Sequence, residues 1–529
     1  MKKLIPLLLL ATSMSNANPY ANANPNANAQ DRQLAGRYEA READWRNGPV
    51  VYQVLVDRFA PSANLEAKRH LYPAPKRLHP WSAQPQRGTY LEREKLWSHE
   101  IDFWGGDLAS LTGKLDHVQQ LGADVLYLNP IPLAYTNHKY DALDYNQVSP
   151  EFGTREEVKQ LAKSLHAKGM KLVLDGVFNH MGRNSPAFRE AEKNPKSPFR
   201  EWFVWGDAYP GGARVWWGAE NLPELNLESP RVRAQLWGEP NSPVRSWLRD
   251  GVDGWRLDVA YDIGFNYLSE LTRAAHQQKP GSLVVGEIPN FPKEWLGPVD
   301  GVMHFGLRRL LIATANGQFP APAAQAVIER LLLDAPYEHI LKSWIYLDNH
   351  DTPRLATTVK DPAARRLALA LMFSLPGSPN LYYGSEVDME GGEDPEMRGP
   401  MDWERVAAGH PALEQTRQFI RLRKQHRALR VGDYRKAEAQ QLIAFERHTD
   451  RVADTVLVLA NPSSQTVTET VLVANSKLMD GAWLRDLLDG SEHQIQSALL
   501  PISVPAHGVR WLVPLTAPRL GYTHYKRVQ

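Results

Sequence analysis

The stretch DGWRLDVA, Asp253–Ala260, decides the fold of this chain. Read as a β-strand, it has a two-residue period, so alternate side chains from Trp255 onward face covering helices. The other face carries Arg256 and Asp258 side by side near the end of the strand. An internal ion pair is the simplest interpretation, because charged side chains are rarely buried without a partner.

Three other apolar segments end in the same way. They are KLVLDGVFNH (Lys171–His180), SLVVGEI (Ser282–Ile288) and WIYLDNHD (Trp344–Asp351). Four apolar runs that each end in carboxylates or histidines would be costly in an ordinary core. The sequence therefore predicts that all four strand ends line one cavity, which an isolated ion pair does not explain.

From Val50 onward, strand and helix patterns alternate. Eight strands over roughly 380 residues favour an α/β fold of the closed (β/α)₈ type (TIM barrel) over an open sheet. We expect the barrel at residues 50–430, with an irregular, Trp-rich insert at residues 181–227 after strand three. The patterns predict helices at Leu108–Leu121 and Val232–Arg249 and a strand near Gly301–Gly306. Alternating segments at residues 431–520 predict a C-terminal antiparallel β-sandwich.

The first residues are typical of an export signal. Lys2 and Lys3 precede an apolar run and small residues, which predicts a signal peptide at residues 1–17 with cleavage after Ala17. A membrane anchor is less favoured, because the run is shorter than the ~20 residues that span a bilayer. Residues 18–49 are expected to form a low-complexity tail and lead-in, disordered up to residue 30, with Ala23, Ala27 and Ala29 as other cleavage points. The mature protein should be periplasmic or extracellular.

The composition limits the classes of binding partner that the protein is expected to have. The chain has 61 Lys and Arg against 60 Asp and Glu, a net charge of +1, so nothing indicates a nucleic-acid or membrane-surface partner. There is no cysteine, which excludes disulfides, thiolate metal sites and thiol nucleophiles.

The two central carboxyl groups suggest a reaction. Asp258 and Glu287 end adjacent parallel strands about 4.8 Å apart, so their carboxyl groups can lie about 5 Å apart, the separation of a retaining glycosidase. We expect Arg256 to keep Asp258 ionised as a nucleophile, and Glu287 to be the proton donor. Asp175 would orient Arg256.

At these residues the chain resembles the α-amylase family of glycoside hydrolases over roughly Val50–Pro514. DGVFNH, GWRLDVA, GEI and LDNHD are similar to the four conserved regions of that family, in the same order. The resemblance implies that Asp258 is the nucleophile, Glu287 the acid/base and Asp351 the stabiliser of the transition state. It also implies a B domain at residues 181–227 and these sugar-contacting residues: His180, Arg256, His350, and Tyr140 with Asp141 in NHKYD.

Two further stretches indicate a subgroup. LPELN (Leu222–Asn226) and YYGSEVDMEGGEDPEMRGPMDW (Tyr382–Trp403) resemble neopullulanases, cyclomaltodextrinases and maltogenic amylases. By this resemblance, Asp394 and Arg398 grip the glucose on the non-reducing side; a helical surface ion pair is the alternative. Trp216 and Trp217 would form a stacking platform or pack inside the insert.

The chain also departs from that subgroup. The N-terminal β domain that builds a dimer is missing from the pattern, so a monomer is expected, with a dimer left open. After the nucleophile, Tyr261 and Asp262 replace the usual Asn-Glu. No cofactor is needed for the chemistry, and Gly106, Asp107 and Asn179 match parts of the calcium sites of the family.

The leading hypothesis is a retaining hydrolase of α-1,4-glucosidic bonds in maltodextrins or cyclodextrins, with transglycosylation as a side reaction. An exo-acting α-glucosidase or a glucanotransferase is the alternative among enzymes. A non-catalytic ancillary protein on the same barrel is disfavoured, because every expected carboxylate is present.

Overall fold

The computed structural model describes residues 29–517. The predicted signal peptide, residues 18–28 of the low-complexity segment and the last three residues of the predicted C-terminal domain lie outside this range. Between residues 29 and 517, no helix combines the length and the apolar character needed to cross a membrane.

Eight parallel strands form the centre of the molecule. In chain order they are β1 Val51–Val54, β2 Val125–Leu128, β3 Lys171–Gly176, β4 Gly254–Leu257, β5 Leu283–Gly286, β6 Gly301–Val302, β7 Trp344–Ile345 and β8 Ser378–Tyr382. They pair in the order β6-β5-β4-β3-β2-β1-β8-β7. Met303 pairs in parallel with Trp344, which joins β6 to β7 and closes the ring. The predicted (β/α)₈ barrel is confirmed.

The register of β4 sets up the cavity. Arg256 lies opposite Asp175 on β3 and Val285 on β5, so the guanidinium and the Asp175 carboxylate share the inward face. Apolar side chains fill the barrel below them: Val51, Val125, Tyr127, Val173, Leu283, Val285, Met303, Trp344 and Tyr346. The polar groups are therefore confined to the carboxyl end of the barrel.

Helices surround the strands. The longer ones are Leu115–Leu121, Arg155–Ala167, Pro243–Arg249, Phe265–Gln278, Phe305–Ala315, Ala321–Leu333, Pro362–Ser374 and Pro411–Gln425. The predicted helix Leu108–Leu121 is broken at Gly113, and Val232–Arg249 is divided by a wide turn at Ala234–Gly238 before Pro243. The strand predicted to reach Gly306 ends at Val302, because the next helix begins at Phe305.

The connection between β5 and β6 has no helix in residues 287–300, all of which the structure describes. A loop takes its place, held by backbone bonds such as that from Trp295 N–H to the Pro292 carbonyl, 3.0 Å. This loop starts at Glu287 and therefore borders the cavity.

The insert after β3 is irregular, as predicted. Its helix is Pro186–Lys193, and isolated bridges such as His180 with Glu224 and Val215 with Pro223 tie it together. A second excursion, after β2, forms a hairpin of Pro132–Ala134 with Ala142–Val148. Both excursions leave from the carboxyl ends of strands and wall the cavity.

The C-terminal region forms two antiparallel sheets, as expected for a sandwich. Its strands are β9 Asp433–Lys436, β10 Ile443–His448, β11 Val456–Ala460, β12 Val467–Leu472, β13 Trp483–Asp486, β14 Glu492–Gln494, β15 Leu499–Val504 and β16 Val509–Pro514. The sheets are β9-β10-β11-β16-β13-β14 and β12-β15. Part of the predicted lead-in is instead a helix, Ala29–Ala43, whose Arg41 pairs with Asp433 at 2.8 Å and Glu338 at 2.6 Å.

Candidate active site

The four predicted strand ends open into one cavity of about 460 Å³. Residues that line it include Tyr140, His180, Trp216, Asp258, Tyr261, Glu287, Pro289, Asp351, Asp394 and Arg398. The shared opening required by the sequence argument is therefore present.

Arg256 is the centre of the charged cluster and is fully buried. Its Nη1 contacts Asp175 Oδ1 at 2.9 Å and Asp258 Oδ1 at 3.1 Å, and its Nη2 pairs with Glu287 Oε1 at 2.9 Å. One guanidinium thus holds three carboxyl groups. Asp175 orients it from below, as predicted, and the other two face the cavity.

The backbone changes direction directly after Asp258. The strand stops at Leu257, and Val259 takes φ 44° and ψ 41° before a short helix begins at Ala260. This left-handed conformation is strained for a β-branched residue, and such strain is concentrated at functional sites. The alternation of side chains along the strand predicts that Val259 faces the helices, but the turn brings it to the cavity wall. The Val259 N–H donates to Glu287 Oε2 at 3.0 Å.

The protonation of Asp258 differs from the expectation. Burial and the neighbouring Glu287 carboxylate raise the pKa of Asp258 well above its usual range, and Arg256 only partly offsets them. Arg256 alone therefore does not keep this carboxyl group ionised. Among the charged neighbours of Asp258, Glu287 contributes most to this rise.

Asp351 is in a different electrostatic setting. Burial would raise the pKa of Asp351, but His350 at 2.9 Å, Arg398 at 3.1 Å and Arg256 together lower it well below its usual range. The carboxylate keeps 40 % of its side-chain surface exposed towards the cavity. It is a fixed negative charge at the side of the cavity.

A hydrogen-bonded group continues from Asp175. The Tyr127 and Tyr140 hydroxyls donate to Asp175 Oδ2 at 2.6 and 3.0 Å, and the Tyr140 hydroxyl also bonds His350 Nε2. Gln53 Nε2 reaches His350 Nδ1 at 2.9 Å. Sequence reasoning missed Gln53, although a polar residue in the apolar strand VVYQVLV was a usable signal.

Asp394 and Arg398 lie at the opposite wall. They pair at 3.1 Å, and Arg398 also contacts Asp351, with 12 % of its side chain exposed. The helical surface pair is therefore wrong, since Arg398 spans two carboxylates inside the cavity. Burial would raise the pKa of Asp394, but Arg398 and His99, at 3.1 Å, lower it to about 2.

A histidine and a glutamate beside that wall were also missed. Glu100 and His138 line the cavity and contact each other at 3.3 Å. His138 falls inside NHKYD, so its neighbourhood was recognised, but its own role was not. Glu100 lies in the long connection after β1, where the apolar residues show no helix or strand period.

The two insert tryptophans differ. Trp216 lines the cavity, stacks on His180 with ring centroids 5.7 Å apart, and donates from Nε1 to Asp262 Oδ2 at 3.1 Å. Trp217 is 79 % exposed and lies outside the cavity lining. Burial lowers the pKa of His180 to about 3, so this ring is neutral.

Asp141 does not have the predicted sugar-binding position. Its carboxylate accepts from the N–H groups of Tyr135 and Thr136, at 3.2 Å each, and from the Thr136 hydroxyl. It is buried, and burial raises its pKa. Asp141 stabilises the turn that presents Tyr140; it does not line the cavity.

The residues matched to calcium sites have partners within the protein. Asp107 accepts from Ser110 N–H at 2.7 Å as a helix cap and pairs with the Lys68 ammonium at 2.6 Å. A bound cation would have to displace Lys68. Gly106 packs directly against the Val56 carbonyl, and Asn179 is buried. Throughout residues 29–517, no three His, Asp or Glu side chains are placed to hold a metal ion.

The structure is a closed parallel barrel, and two acidic groups at its carboxyl end share one guanidinium beside a third, ionised carboxylate. This is the arrangement of a glycoside hydrolase. Comparisons with known proteins agree. Residues 53–451 match the model of the alpha amylase catalytic domain, and residues 435–511 match the maltogenic amylase C-terminal domain. The chain belongs to the α-amylase family of glycoside hydrolases.

Individual relatives cover most of the chain. A cyclomaltodextrinase of Geobacillus thermopakistaniensis is 32 % identical over 491 residues, 88 % of this chain and 76 % of the relative. Neopullulanase 2 of Thermoactinomyces vulgaris is 31 % identical over 469 residues, 85 % and 74 % of the two chains. The structure of a cyclic α-maltosyl-(1→6)-maltose hydrolase of Arthrobacter globiformis superposes with a TM-score of 0.74 at 30 % identity, covering 89 % of this chain and 100 % of that one.

Proposed function

We propose that this glycoside hydrolase cleaves α-1,4-glucosidic bonds of maltodextrins and cyclodextrins with retention of the anomeric configuration. The observation that carries the proposal is the sharing of one buried guanidinium by Asp258 and Glu287. The two carboxyl groups contact neighbouring nitrogens of the Arg256 guanidinium. This contact supports the short carboxyl separation of retaining enzymes, about 5 Å, over the wider separation of inverting enzymes.

In this mechanism the Asp258 carboxylate attacks the anomeric carbon while Glu287, the acid, gives a proton to the leaving oxygen. A covalent glycosyl-enzyme forms, and the leaving sugar departs. Glu287, now ionised, removes a proton from a water that attacks the same carbon and restores Asp258. The barrel holds both groups before substrate arrives, so little reorganisation is needed.

The other walls position the ring. Asp351, held ionised by His350 and Arg398, accepts sugar hydroxyls and stabilises the positive charge that develops on the ring. Tyr140 offers its ring face, and His180 offers a neutral imidazole as a hydrogen-bonding partner for hydroxyls. Asp394 and Arg398 would hold the next glucose on the non-reducing side.

The test is Glu287→Gln, which keeps the shape but cannot transfer the proton. We expect kcat on maltoheptaose to fall by at least about 10³-fold, with binding retained, because proton transfer and leaving-group departure are lost together. Glu294→Gln, in the same loop but exposed, is the matched control and should keep full activity. Retained turnover in Glu287→Gln, or a β-anomer as first product by NMR, would contradict the proposal.

Chromatography of the products from maltoheptaose, β-cyclodextrin and pullulan separates hydrolysis from exo-glucosidase action and from transfer. Glucose as the sole early product would indicate exo action, and products longer than the substrate would indicate transfer.

We also propose that the protein is exported. Residues 1–17, in which Lys2 and Lys3 precede an apolar run, support this proposal. Mass spectrometry of the mature N-terminus and fractionation of the producing cell test it. Sedimentation equilibrium tests the expected monomeric state.

A further inference from the structure

Exposed aromatic side chains continue outward from the cavity along two chain segments. Tyr261, after β4, lines the cavity, and Phe265 follows it with 45 % of its surface exposed. Pro289, after β5, also lines the cavity, and Phe291 follows it with 44 % exposed.

The two segments meet outside the cavity. The rings of Phe265 and Trp295 stack with centroids 4.1 Å apart at an angle of 26°. Trp295 belongs to the helix-free loop that starts at Glu287, so the stack joins that loop to the helix Phe265–Gln278. We call Phe265, Phe291 and Trp295 the outer aromatic rim.

The rim lies on the side of the leaving group. Glu287 follows β5, whereas Asp394 and Arg398 follow β8, three strands further round the ring. The acid must face the glycosidic oxygen, and the sugar on the non-reducing side lies towards Arg398. The reducing-end part of the substrate would therefore leave the cavity past Tyr261 and Pro289, the residues that Phe265 and Phe291 follow in the chain.

A purely structural stack would not need to be exposed. Phe265 and Phe291 remain in water and follow, by four and two residues, side chains that line the cavity. Exposed large apolar side chains that cluster beside a binding cavity mark an interaction surface. Flat aromatic faces suit the apolar C–H faces of glucose rings, and the cavity already accepts a glucose chain under the proposed function.

We propose that the outer aromatic rim binds glucose units of the substrate beyond those inside the cavity, on the reducing-end side. The rim makes the enzyme favour long α-glucan chains over maltotriose. This inference rests on the proposed function and adds the chain-length preference, which is set by residues of this chain outside the catalytic group.

The test compares substrates of two lengths. In Phe265→Ala and in the double variant with Phe291→Ala, kcat/KM for maltotriose should stay within twofold of the wild type. For maltoheptaose it should fall roughly three- to tenfold, the loss of one or two aromatic contacts. Phe319→Ala removes a phenylalanine that is 36 % exposed and outside the cavity lining, and should change neither value.

Binding gives an independent readout. In the Glu287→Gln background, calorimetry should show that Phe265→Ala weakens maltoheptaose and leaves maltotriose unchanged. An equal loss for both lengths would assign the stack a structural role and overturn the inference, as would no loss for either.

A dimer that Phe265→Ala dissociates would assign the rim to a second copy and also overturn the inference. Failure of the proposed function is distinguishable, because the wild type would then cleave neither substrate.

Discussion

Replacement of Asp175 by Asn tests the charge balance of the site without touching a group that contacts the substrate. Asp175 lies behind Arg256 and accepts from Arg256 Nη1 and from the hydroxyls of Tyr127 and Tyr140. An asparagine keeps the shape and an acceptor oxygen. What it removes is one negative charge.

The expected shift follows from the geometry. The Asp175 charge raises the pKa of Asp258, because it opposes a second negative charge beside it, so removal of that charge lowers the pKa. Oxygens of Asp175 and Asp258 both lie within 3.1 Å of Arg256 Nη1. They are therefore no more than about 6 Å apart. At that separation and an effective dielectric constant of about 20, the Coulomb energy is about 3 kcal/mol, or about two pH units.

The assay is the pH profile of kcat/KM. The acid limb reports ionisation of Asp258, so this limb should move to lower pH by one to two units. One unit below the wild-type acid limb, the variant should therefore keep roughly five to ten times the wild-type fraction of maximal activity. Thermal unfolding measured in parallel shows the structural cost of the substitution.

Asp253→Asn is the matched control. Asp253 is buried at the start of β4, pairs with Lys279 at 2.9 Å and His166 at 2.7 Å, and lies at the other end of the same strand. This variant should lose stability without moving either limb. If Asp175→Asn also leaves the acid limb in place, or moves it to higher pH, the charge argument is refuted.

Two further predictions concern stability. The pKa of His180 in the folded protein, about 3, lies below the ordinary 6.5, so the unfolded chain binds the extra proton. Stability should therefore fall as the pH drops from 6.5 towards 3, by up to about 1.4 kcal/mol per unit. In chemical unfolding, His180→Asn should flatten that slope, and an unchanged slope would contradict the burial of His180 as a neutral ring. Chelation by EDTA should leave the melting temperature unchanged, because the Lys68 ammonium already pairs with Asp107. For the same reason, Lys68→Met should lower the melting temperature and added calcium should not restore it. A lower melting temperature of the wild type in EDTA would show that a metal stabilises the chain.

The barrel and the carboxyl cluster could be predicted because each depends on local patterns. Apolar runs that end in Asp175, Asp258, Glu287 and Asp351 give both the strand ends and their common face. The position of Val259 could not be predicted, because alternation assumes that the strand continues, and the backbone turns at that residue. Asp141 was misassigned because its neighbour Tyr140 does face the cavity, and sequence spacing does not show that backbone amides occupy the carboxylate.

The protonation of Asp258 could not be read from its neighbour Arg256 alone. Three carboxyl groups share this one guanidinium, so full ionisation would leave two negative charges uncompensated in a buried site. The shared guanidinium therefore only partly offsets burial and the Glu287 charge, and the pKa of Asp258 rises. Asp351 stays ionised because His350 and Arg398 lie within 3.1 Å of its carboxylate and, with Arg256, lower its pKa. The sequence shows which residues carry charge, whereas the number of carboxyl groups that share one cation depends on the register of the neighbouring strands.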